Sequence, residues 1–188
     1  MTDNAGISRL RRRATVGAIV LCIALVFGIK VAQAAEIIPS IGVTRAVDGD
    51  GKATVIGGLA FRSELLPAVR SEVALGYRTE SRFGDNLRVR QWPITASLYL
   101  APSRVVYAGG GVGWYQTTFH STNLALSDDT HQSFGVHLGG GFQVPIAPAA
   151  AVDLGGRYVM LRKQESRLVP EKFNPDFWTT SLGLSVNF

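Results

Sequence analysis

The sequence predicts an all-β fold, an eight-stranded antiparallel up-and-down transmembrane β-barrel, and three observations carry that prediction. Apolar and small polar residues alternate with a period of two over most of the chain. The connections between these segments alternate between short proline-bearing turns and longer polar loops. The last eleven residues place Trp178, Thr180, Leu182, Leu184, Val186 and Phe188 on one strand face and Thr179, Ser181, Gly183, Ser185 and Asn187 on the other. One face suits lipid and the other water, and an aromatic at each end of the apolar row fits a band bounded by two interfacial girdles.

Residues 1–34 read as a signal peptide and 35–188 as one barrel domain. Arg9, Arg11, Arg12 and Arg13 precede an apolar run from Ala14 to Ile29, and Ala32-Gln33-Ala34 supplies small residues at the spacing of a cleavage site before Ala35. A retained anchor is the weaker reading, because the run is shorter than the roughly 20 residues that span a bilayer comfortably. The single cysteine, Cys22, lies in that run, and Ile19-Val20-Leu21 ahead of it lack the small residues of a lipoprotein site. The processed chain therefore carries no thiol, which excludes disulfides and cysteine-based metal or nucleophile chemistry. Processing also removes five basic residues and one acidic one, taking the net charge from +5 to about +1. The basic whole-chain pI is thus no case for nucleic-acid binding. No later apolar stretch approaches the length of a membrane helix, so a membrane would be crossed as strands.

The eight strands are read at 38–47, 53–65, 69–81, 87–101, 105–120, 132–145, 150–162 and 177–188. Leu66-Pro67-Ala68, Ala101-Pro102-Ser103 and Pro145 to Ala149 form the short turns. Asp48 to Lys52, Arg82 to Asn86, Ser121 to His131 and Lys163 to Asp176 form the loops. In 106–114 the outward row is Val106, Ala108, Gly110, Val112 and Trp114; in 134–144 it is Phe134, Val136, Leu138, Gly140, Phe142 and Val144. Trp92, Ile94, Ala96, Leu98 and Leu100 face out on the fourth segment, and Val152, Leu154, Tyr158 and Met160 on the seventh. Tyr77, Trp92, Trp114, Phe134, Tyr158 and Trp178 fall toward the loop end, and Phe61, Phe142 and Phe188 toward the turn end. At about 2.5 Å of climb per tilted residue, Trp178 to Phe188 covers about 25 Å, the height of a hydrocarbon band. A secreted soluble sandwich or lipocalin-like barrel would reverse the faces, and Gly109-Gly110-Gly111 with Gly139-Gly140-Gly141 would pack its core poorly. In an eight-stranded barrel the same inward glycines make room for Tyr107, Tyr115, Arg157 and His137, which argues against a wide pore.

These features resemble the small outer-membrane β-barrel proteins of Gram-negative bacteria, the group that includes the transmembrane domain of OmpA and the proteins OmpX and OmpW. The residues that carry the resemblance are the leader end Ala32-Gln33-Ala34, the strand from Val106 to Tyr115, and the closing segment from Leu182 to Phe188. The resemblance implies the outer membrane as location, with lipid and lipopolysaccharide as surroundings. It also implies a C-terminal assembly signal, Leu182, Leu184, Val186 and Phe188, read by the barrel-assembly machinery. OmpA-like chains continue into a peptidoglycan-binding domain; no residues follow Phe188 here, so no wall-anchoring role is expected.

Inward-facing charges are the first candidate constellation: Arg62, Glu64, Glu72, Arg78, Glu80, Asp153 and Arg157. Buried charges must be paired, so the expectation is a salt-bridged plug. The alternative is a narrow polar conduit for small solutes, gated near Glu72/Arg62 and Asp153/Arg157. His120, Ser121, Asp128, Asp129 and His131 gather in one loop, but adjacent His120 and Ser121 point opposite ways, which disfavours a lipid A- or phospholipid-modifying enzyme. Their irregular spacing likewise disfavours a metal site. Asp48-Gly49-Asp50-Gly51-Lys52 completes neither a calcium loop nor a phosphate loop and reads as a hairpin turn. His137 reads as a satisfied interior residue. Arg88 and Arg90 share the outward face above Trp92, at the height of lipopolysaccharide phosphates. The overall expectation is a monomeric, non-enzymatic barrel with a structural or surface-interaction role, no cofactor and no metal.

Overall fold

The computed structural model describes residues 35–47, 53–82, 87–121, 129–161 and 176–188, without the side chains of 80–82, 87–88, 119–121 and 129. Eight strands follow in chain order: β1 (Ala35–Ala46), β2 (Thr54–Leu66), β3 (Val69–Arg82), β4 (Leu87–Leu100), β5 (Val106–Ser121), β6 (Asp129–Ala147), β7 (Ala150–Leu161) and β8 (Phe177–Asn187). Each pairs antiparallel with the next, and β1 pairs with β8, so the sheet is a closed barrel without edges. The predicted segments are all strands. β1 begins three residues earlier than expected, because Ala35 and Glu36 pair with Ser63 and Arg62, and Glu36 also with Asn187. β6 extends past 132–145 at both ends, to 19 residues.

Side-chain alternation sets the two faces of the wall. Along β6, Leu138 is 61% exposed while His137 beside it is 1% exposed. Leu59, Leu98, Leu154, Leu182 and Phe188 are exposed in the same way, whereas Tyr99, Tyr107, Tyr115, Asp153 and Ser185 are buried. The apolar row therefore points outward and the polar row fills the middle, the reverse of a soluble barrel. Outward aromatics pair across strands at the loop end: Tyr77 with Trp92 at 4.6 Å, Tyr158 with Trp178 at 4.5 Å, and Trp114 opposite Phe134. Phe61 and Phe188 meet at 6.3 Å at the turn end.

Inward glycines set the lumen's shape. A Cβ at Gly113 would lie 2.6 Å from the Tyr115 ring, one at Gly141 2.6 Å from the Tyr107 hydroxyl, and one at Gly139 2.8 Å from Arg157 Cγ. Large side chains thus lie over glycines of their own strand or of the next one.

Candidate functional site

Arg62, projecting inward from β2, is the centre of the lumen. Its Nη2 and Nε donate to Glu72 on β3 at 2.7 and 3.1 Å, and its Nη1 donates to Asp153 on β7 at 2.8 Å. Glu36 on β1 stands 3.9 Å away. The guanidinium also lies over the Tyr107 ring at 4.3 Å and near that of Tyr99 at 5.6 Å. Tyr107 in turn donates to Asp153 at 2.8 Å. Arg157 pairs with the other oxygen of Glu72 and reaches Thr95. Two arginines and three carboxylates from four strands therefore converge on one level, with Arg62 and Glu72 each 2% exposed. In so dry a place each charge is tolerated only because the others compensate it.

Smaller groups close the lumen on either side. Toward the turns, Glu36 accepts from Gln143 at 2.7 Å and from Ser185 at 2.9 Å, and Arg70 donates to Gln143 at 2.7 Å. Toward the loops, Arg78 donates to Gln91 at 2.7 Å and to Thr44 at 3.3 Å, and stands over the Phe177 ring at 3.9 Å. Gln91 continues the chain to Thr117 at 2.9 Å. Ser97 and His137 Nε2 are joined at 2.9 Å in between.

Of the seven inward charges expected to pair, the six whose side chains are described divide three ways. Arg62, Glu72, Asp153 and Arg157 form the central cluster. Arg78 belongs to the separate loop-side group. Glu64 is a correction: it has the inward parity but lies exposed at the turn end, outside every ion pair among the described residues. Parity assigns a face and says nothing about depth. Glu36, absent from the expected set, is the missed member; it shares parity with Ile38 and Ser40, the signal that would have found it.

Outside the barrel, Arg90 is exposed on the same face as Trp92, with Thr79 opposite it on β3. Arg45, also missed, is exposed opposite Trp178 on β8. The side chains of Glu80, Arg88, His120, Ser121 and Asp129, and the segment from Asp48 to Lys52 with Asp128, lie outside the described residues. His137 is buried as expected, with Nε2 engaged and Nδ1 without a partner.

Residues 23–188 match the outer membrane protein β-barrel domain. The chain belongs to that family. The protein is accordingly an outer-membrane β-barrel of a Gram-negative bacterium. Among curated proteins no sequence matches. Solved structures agree on the fold: neisserial surface protein A is similar with a TM-score of 0.65 at 17% identity, over 84% of this chain and 100% of that one. Ail, the attachment invasion locus protein of Yersinia pestis, gives 0.57 at 15% identity over 82% and 98%. OprG of Pseudomonas aeruginosa gives 0.51 at 16% identity over 82% and 95%.

Proposed function

We propose that this outer-membrane barrel is non-enzymatic, that its lumen is a closed structural plug, and that its working surface is the loop end. The Arg62-centred cluster is the observation that supports this reading most strongly. Opening a path through it would separate Arg62 from Glu72 and Asp153, leaving charges buried without partners. Strand length supports the second half. β5 and β6 run 16 and 19 residues against 11 for β8, and above Trp114 and Phe134 their outward rows turn polar at Gln116, Thr118, Thr130 and Gln132. Those segments project beyond the apolar band and present a hairpin wall to the outside.

In this reading Arg90 and Arg88 contact lipopolysaccharide phosphate above the aromatic belt, with Arg45 at the corresponding level on β1. Leu182, Leu184, Val186 and Phe188 serve as the assembly signal, residues 1–34 are removed as a leader, and the barrel is a monomer surrounded by lipid. Planar-bilayer recording of folded, purified protein tests the plug. The expected result is the absence of discrete conductance steps. Regular steps that change size in Arg62→Ala would instead establish the narrow-channel alternative and remove the proposal.

A further inference from the structure

We infer that removal of the leader creates a binding site at the turn end of the barrel: the new α-ammonium of Ala35 is received by the Glu64 carboxylate on β2 and the side-chain carbonyl of Asn187 on β8, which latches β1 into the closed wall. The latch rests on the removal of residues 1–34 proposed above. Hydrolysis of the Ala34–Ala35 peptide consumes one water, leaves a carboxylate on Ala34 and frees an amine on Ala35, which takes up a proton at neutral pH. The processed chain thus gains a positive charge and three N–H donors at a point where the precursor has a neutral amide with one.

Both acceptors stand beside that point, and both lack a partner. Ala35 pairs with Ser63, so its nitrogen lies level with the interval between Ser63 and Glu64 on β2. Glu64 has inward parity, is exposed at the turn-side mouth and belongs to no ion pair among the described residues. Arg70 lies directly across from it on β3 but donates to Gln143 instead, at 2.7 Å. On the other flank Asn187 pairs with Glu36, one residue from Ala35, and its Oδ1 is buried without a hydrogen-bond partner. Buried acceptors are rarely left so, and an N–H donor is what this one lacks. Glu36 is already engaged: it accepts from Gln143 and Ser185 and faces Arg62.

Charge supports the same assignment. In the central cluster Arg62 and Arg157 match Glu72 and Asp153. Among the described inward strand residues at the turn-side mouth, Glu36 and Glu64 stand against Arg70 alone, so one positive charge is missing there, and the Ala35 ammonium supplies it. This corner is also thinly held. The β1–β8 ladder is interrupted at Ile38 and Pro39, and Pro39 has no N–H to give. On the turn side of the break only Glu36↔Asn187 and Ile37↔Val186 remain, with the Phe188 amide donating to the Ala35 carbonyl at 3.1 Å. A charge held by β2 and β8 at once pins β1 at that corner.

Acetylation of the folded, processed barrel tests the latch. Mass spectrometry of the secreted protein first establishes where it starts; a chain beginning anywhere but Ala35 overturns the leader reading and the latch with it. For a chain that begins at Ala35, acetic anhydride at limiting concentration and neutral pH modifies only the unprotonated amine, and Lys52 serves as internal reference. Glu64→Gln is expected to raise the rate at Ala35 about threefold or more relative to Lys52, because the carboxylate no longer holds the proton on the amine. A Gly-Ala extension carries the ammonium about 7 Å beyond the site. It is expected to speed unfolding in urea about threefold in the wild type and to have no effect in Glu64→Gln. Glu64→Ser is the second variant should the first not refold. Equal acetylation rates with and without the Glu64 carboxylate, or an extension that acts alike in both backgrounds, would overturn the latch while leaving the processing site in place.

Discussion

Replacing Arg62 with methionine keeps much of the side chain's bulk and removes its charge. Three hydrogen bonds to carboxylates disappear, at 2.7, 2.8 and 3.1 Å, together with the guanidinium packed over Tyr107. Glu72 keeps Arg157 and Asp153 keeps the Tyr107 hydroxyl, so neither carboxylate is left bare, but Glu72 loses two hydrogen bonds and Asp153 loses the arginine that pairs with it. Breaking a buried pair by removing one member costs about 3–5 kcal/mol, much of it the burden of the orphaned charge. Reversible urea unfolding in lipid, followed by tryptophan fluorescence and by gel migration without boiling, measures the loss. Adding Asp153→Asn removes one of the stranded charges, so the double variant is expected to recover about 1–2 kcal/mol relative to additivity. A loss below about 1 kcal/mol for Arg62→Met, or strictly additive effects in the double variant, would refute the view that the cluster is a mutually dependent unit.

Other perturbations probe separate parts of the molecule. A Cβ at Gly111 would lie 2.1 Å from the Ala96 carbonyl oxygen, whereas one at Gly156 meets nothing nearer than 3.9 Å. Gly111→Ala is therefore expected to lower the unfolding free energy by about 1–3 kcal/mol, and Gly156→Ala to change it by less than about 0.5 kcal/mol, in the same urea assay. Asp176 accepts from the Leu161 amide at 3.0 Å and the Tyr158 hydroxyl at 3.1 Å, tying the loop ends of β7 and β8 together. Asp176→Ala should cost about 1–2 kcal/mol and speed amide exchange at Leu161 before the rest of β7. Arg90→Ala with Arg88→Ala should reduce co-purifying lipopolysaccharide, measured by its phosphate content, without altering unfolding by more than about 0.5 kcal/mol.

The barrel itself was legible because a strand in a closed sheet repeats every two residues, and each outward position must be compatible with lipid. Val106 to Trp114 and Phe134 to Val144 show the alternation without interruption, and their rows are those of the structure. The lumen was legible only in part. Arg62, Glu72, Asp153 and Arg157 have inward parity on their own strands, but their meeting depends on the stagger between strands, which a period of two does not encode. Glu64 shares that parity and lies at the exposed turn end. Glu36 stood too near the expected cleavage point to be read as part of a strand, and its partners Gln143 and Ser185 are 107 and 149 residues away in sequence. Pro93 carries no parity signal at all. The break it makes in the β3–β4 ladder, opposite Gly76, is a property of the folded wall.

All three tryptophans, Trp92, Trp114 and Trp178, stand on the outward row, which makes their fluorescence the most direct measure of which face meets lipid. Reconstituted into bilayers whose acyl chains carry bromine at different depths, the protein should be quenched most by bromine near the headgroups, and iodide in the buffer should have little effect. Strong quenching by iodide with none from brominated lipid would place these side chains away from the hydrocarbon and contradict the assignment of the two faces.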